Sequence, residues 1–166
     1  MRNAEGGGLL AHFFCKDPIG NASLALLARI PDVVEVELSG DESKQITAQG
    51  LKHFAAMPSL RKLDLNGIGG IDEDALAELK GCQSLKELIL INFGIITDKG
   101  VKHLAGIPKL QKLNIHGARL TADSIEHFKK MKSLTHLKIT YSGLTPEVSA
   151  ILRRLPGVEV EVGVQQ

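Results

Sequence analysis

With 166 residues, 43% hydrophobic content and a formal charge of +1, the chain can bury a core and is too apolar to remain disordered. Near-neutrality argues against strong attraction to nucleic acid or an anionic membrane. Aromatics are 4% with no Trp, so the core must be mainly aliphatic, and two cysteines, Cys15 and Cys82, without CxxC spacing give no sign of a disulfide framework.

The elements read in chain order as one domain, 1–166. Residues 1–8, with GGG at 6–8, read as a flexible tail. Residues 9–30 form a degenerate capping unit: LLAHFF (Leu9 to Phe14) is read as its edge strand, although a short helix fits too, and IGNASLALLARIP from Ile19 overlays ITAQGLKHFAAMP from Ile46 position for position. Residues 31–155 hold five units, with anchors Val33, Leu60, Leu85, Leu110 and Leu134 and a further anchor at Val158; successive spacings are 27, 25, 25, 24 and 24. Each unit opens on a strand (VVEVEL, LRKLDL, LKELIL, LQKLNI, LTHLKI) and continues through a turn into a helix (ITAQGLKHFAAM, IDEDALAELKGC, ITDKGVKHLAGI, LTADSIEHFKKM, LTPEVSAILRRL). Thr47, Asp72, Thr97, Thr121 and Thr145 stand at N-cap positions, apolar residues recur at intervals of three behind them, and Pro31, Pro58, Pro108 and Pro156 stop helices before the next strand. Residues 156–166, with VEVEV, read as a closing edge strand and tail.

One strand–turn–helix unit cannot bury its own apolar side, whereas stacked units pair their strands and merge their Leu columns. Helices are wider than strands, so such a stack curves. The helix motif T-x-x-G-[LV]-x-x-[LF], matched by ITAQGLKHF and ITDKGVKHL and more loosely by LTADSIEHF, resembles the leucine-rich repeat proteins of the ribonuclease-inhibitor-like (cysteine-containing) class, over about 31–164. The resemblance implies an α/β fold: a right-handed solenoid forming a curved horseshoe segment, with a parallel β-sheet on the concave face and α-helices on the convex face. The class is functionally diverse, so it implies little about activity.

Strand positions between the core leucines point to the concave face. The first column is Glu35, Lys62, Glu87, Lys112, His136 and Glu159; the second is Glu37, Asp64, Ile89, Asn114, Lys138 and Glu161; the third is Ser39, Asn66, Ile91, His116 and Thr140. The charged column reads either as a recognition strip or as a self-satisfied ladder that keeps the sheet soluble. Ile89 and Ile91 break the alternation, with Phe93 in the adjoining turn. An apolar centre rimmed by Asn114, His116, Arg119, Lys138 and Tyr141 has the composition of a protein-binding hot spot, unless Phe93 tucks inward.

His53, His103 and His127 share a helix position, but neighbouring helices lie about 10 Å apart, too far for shared metal ligation. Cys82 reads as a small buried hydrophobe and Cys15 as a packing residue of the cap. Gly67-Ile68-Gly69-Gly70 lacks both phosphate-loop spacings. No catalytic set, cofactor or metal site stands out. The expectation is a noncatalytic, cytoplasmic module that binds an unidentified protein or peptide through Ile89, Ile91, Phe93, Asn114, His116, Arg119, Lys138 and Tyr141. Alternatives are a regulatory or assembly subunit, or fragment, of a larger signalling complex, an oligomer through the repeat edges, and, ranked last, nucleic-acid binding through the lysine-bearing helices. No membrane or small-molecule substrate is expected; the longest apolar run, 88–96, is too short to span a bilayer.

Overall fold

Alternation along L-x-x-L-x-L sends apolar side chains to one side of a strand and polar ones to the other, and in the computed structural model each such stretch is a strand. The structure describes residues 2–3, 8–14, 19–39, 46–68 and 71–164. In chain order, β1 (Arg2–Asn3) and β2 (Leu9–Phe14) precede α1 (Asn21–Leu27). Then come β3 (Val33–Ser39), α2 (Ala48–Leu51, continued as 3-10 helix over Lys52–Ala56), β4 (Lys62–Asn66) and a 3-10 helix over Glu73–Gly81. β5 (Glu87–Ile91), β6 (Ile96–Thr97), α3 (Asp98–Leu104), β7 (Lys112–Arg119), α4 (Asp123–Lys130), β8 (His136–Ser142), α5 (Pro146–Leu152) and β9 (Glu159–Val164) complete the described chain.

The fold is α/β around an open sheet, ordered β1-β2-β3-β4-β5-β7-β8-β9, with β6 beside β7. From β2 to β9 every pairing along this path is parallel. Val36, Leu63, Leu88, Leu113, Leu137 and Val160 are in register across six strands, and all but Val160 are buried. A second row, Leu38, Leu65, Leu90, Ile115 and Ile139, is buried beside it. Leu24 and Leu27, Leu51 and Phe54, Leu76 and Leu79, Val101 and Leu104, Ile125 and Phe128, and Val148 and Leu152 supply the helical side of the same core.

Two features depart from the sequence reading, and one open choice is resolved as it proposed. Arg2–Asn3, expected in a flexible tail, pairs antiparallel with Leu9 and Leu10, which satisfies backbone groups that an edge strand would otherwise expose. Of the two assignments open for Leu9–Phe14, the strand is observed, in parallel register with β3. The unit IDEDALAELKGC forms a 3-10 helix; burial of Leu76 and Leu79, three apart, suits three residues per turn as well as 3.6.

The helical halves are joined by polar contacts between units. The carboxylate of Glu73 accepts from Thr97 N (2.8 Å), Thr97 Oγ1 (2.8 Å) and Gly100 N (3.1 Å), and so caps α3 from the preceding unit. Asp98 accepts from Thr121 N and Oγ1 at 2.9 and 2.6 Å, and Asn21 bonds both N and Oγ1 of Thr47. This explains the glycine of the T-x-x-G motif: a Cβ at Gly100 would stand 2.7 Å from Glu73 Oε2 and 2.9 Å from Ile96 Cγ2. Where Ser124 replaces the glycine, its hydroxyl donates to Thr121 O at 2.8 Å.

Candidate functional site

The face of the sheet opposite the core is left open, and its side chains are half-buried or exposed. Strand register brings the first two anticipated columns together: Glu35, Lys62, Glu87, Lys112, His136 and Glu159 are consecutive partners, as are Glu37, Asp64, Ile89, Asn114, Lys138 and Glu161. In the third column Ser39–Asn66–Ile91 and His116–Thr140 are in register, but β5 and β7 pair only as far as Leu90 and Ile115.

Several polar groups on this face pair within it. Lys62 Nζ lies 2.6 Å from Glu35 Oε1, Lys138 Nζ 3.0 Å from Glu161 Oε2, and His136 Nε2 3.3 Å from Glu159 Oε2. The bond from Glu35 outweighs desolvation and raises the Lys62 pKa. Such half-exposed pairs are each worth about 0–1 kcal/mol. They also leave the middle of the face with a different character. Ile89, Asn114, Glu87, Lys112, His136 and Lys138 are among the residues lining a shallow depression of about 180 Å³.

Asp64 is the discordant member of the face. Its Oδ1 is shielded from solvent and has no hydrogen-bond partner. Desolvation, followed by repulsion from Glu37, lifts its carboxyl from the ordinary 3.8 to about 6, with Lys62 pulling the other way. A neighbouring strand residue is Ile89, which offers it no donor.

The residues anticipated for binding fall into three groups. Ile89, Asn114 and Lys138 line the depression, with Ile89 and Asn114 half-buried and Lys138 exposed. Ile91 is half-buried at the end of β5, His116 Nδ1 lies 3.2 Å from Thr140 Oγ1, and Arg119 is exposed at the end of β7. Phe93 is a correction, since it is buried at 4% exposure and belongs to the core. Its backbone explains why. Gly67, Asn92 and Gly117 all have positive φ (73°, 53° and 93°), and each is followed by a buried residue: Ile68, Phe93 or Ala118. The left-handed residue breaks the strand alternation and returns the next side chain to the core. The recurrent Gly/Asn-apolar pair was the sequence signal for this. Tyr141 belongs to β8, and its side chain lies outside the described residues, as does Cys15.

Elsewhere, Cys82 is buried and its thiol is pushed up to about 12 by desolvation, which makes it a poor nucleophile. Lys99 and His103 both approach Asp74, at 2.6 and 3.3 Å, so this charge on the helical side is partly neutralised locally. Among the described residues no group of three His, Cys, Asp or Glu could hold a metal ion, and no helix is long and apolar enough to cross a membrane. No protein-family model matches the chain, and no curated protein matches it.

Proposed function

We propose that the chain is a leucine-rich-repeat solenoid acting as a noncatalytic interaction module, with its open sheet face receiving a protein or peptide partner. The observation that carries this reading is the pair Ile89 and Ile91: two β-branched side chains partly open to water in a face whose other members are mostly charged or amide-bearing. Burying an apolar pair inside a polar rim is the common energetic pattern of a protein-binding centre. Asn114 and Lys138 supply hydrogen-bonding groups beside Ile89, and Arg119 extends the rim toward the strand ends. Phe93 has no part in the contact surface.

The test is Ile91→Asp. The variant should melt within about 1 kcal/mol of wild type, as for a surface position away from the core, yet lose the partner captured by wild-type protein from lysate of the source cells. Equal capture by both proteins would reject this face as the site.

A further inference from the structure

The last strand carries a second surface, its outer edge, which borders the open face through Glu161 and Lys138. Among the described residues β9 is the last strand of the sheet, paired with β8 on one side. In a parallel ladder successive residues direct their peptide groups to opposite sides. Glu159 N–H donates inward to Thr135 O at 2.8 Å, so the peptide groups of Val160 and Val162 face the open edge. One of these carbonyls is already approached: Arg153, at the C-cap of α5, places a guanidinium nitrogen 3.4 Å from Val162 O.

The side chains repeat the sheet's own logic with one partner missing. Val160 and Val162 stand in register with buried Leu137 and Ile139 but are only partly buried themselves. Glu159 and Glu161 continue the charged columns, lying 3.3 Å from His136 and 3.0 Å from Lys138, with side chains 70% and 63% exposed. A carboxylate has acceptor capacity for a second cation. Two copies of β9 paired edge to edge would set glutamates against glutamates, which is unfavourable.

We propose that the outer edge of β9 accepts an extended segment of another polypeptide in which basic and apolar residues alternate. Its peptide groups pair with those of Val160 and Val162, its basic side chains meet Glu159 and Glu161, and its apolar side chains cover the two valines. Arg153 acts as a guard that the incoming strand displaces.

The test is fluorescence anisotropy with a labelled Val-Lys-Val-Lys-Val probe, compared with Val-Glu-Val-Glu-Val and with the block peptide Lys-Lys-Val-Val-Val. The alternating basic probe should bind saturably and about tenfold more tightly than either comparison. The double variant Glu159→Lys, Glu161→Lys should reverse the preference toward the acidic probe. Arg153→Ala should tighten binding of the basic probe. Val160→Pro removes an outward N–H without breaking a bond to β8, and should abolish binding with unchanged circular dichroism. Should that variant unfold, the charge reversal decides alone. Equal binding of block and alternating peptides, or an unchanged order after charge reversal, overturns the proposal. So does concentration-dependent self-association in light scattering without probe binding, which would assign the edge to a second copy.

Discussion

The two faces of the sheet are built from the same strands in the same register, yet they obey different rules. On the core face, Leu63, Leu88, Leu113 and Leu137 repeat almost without variation, because each neighbour and the helix behind it leave room for one shape. On the open face the corresponding columns run through Glu, Asp, Ile, Asn, Lys and His. Water tolerates all of these, so that face is free to diversify. Stability is therefore concentrated on one side of each strand and recognition chemistry on the other.

Substitutions on either side should differ accordingly. The largest effect is expected from Leu113→Ala, about 2–5 kcal/mol lost from transfer and cavity terms, read as a fall in the denaturant midpoint. An unchanged midpoint would contradict the shared interior row. Gly100→Ala probes the joint between units and should cost about 1–3 kcal/mol, because Glu73 is tied by three hydrogen bonds and cannot swing aside freely. In a Glu73→Ala background the cost should shrink but not vanish, because the added Cβ would still stand 2.9 Å from Cγ2 of buried Ile96.

On the open face, Asp64→Asn should stabilise. The folded carboxyl holds its proton up to about pH 6, the unfolded one only to 3.8. Between those values the native state binds more protons, so wild-type stability falls as pH rises through that window. The asparagine variant lacks this loss. Its advantage should be absent near pH 4 and reach about 1–2 kcal/mol above pH 6, discounted for partial solvent access. Chemical denaturation at pH 4 and pH 8 reads the difference, and a pH-independent gap would remove Asp64 as its source. The smallest effect is expected from Glu35→Gln. It breaks the 2.6 Å pair with Lys62 for about 0–1 kcal/mol, a loss that should shrink further in 1 M salt.

Much of this was legible in the residues. Apolar periodicity placed the strands, their faces and the first two open-face columns, because a side-chain period of two leaves no freedom once the core face is assigned. Three of the five proposed caps, Asp72, Thr97 and Thr145, sit at the N-cap and accept from backbone N–H groups of their own helices; Thr121 accepts from Asp123 N, but the N-cap of α4 is Ala122, one residue on. Thr47 instead bonds Asn21 of the preceding unit, a partner 26 residues away that no local pattern reveals. Phe93 was misplaced because two-residue alternation was carried into a turn where Asn92 reverses it.

The sequence by itself determined which residues repeat, which strands neighbour one another and which side of each strand is apolar, since all of these follow from spacing along one chain. Only the tertiary structure decided that Phe93 joins the core, that Glu73 reaches into the next unit, that Oδ1 of Asp64 loses water without gaining a donor, and that Arg153 meets the edge of β9. Those outcomes depend on distances between units, and spacing within a unit does not encode them.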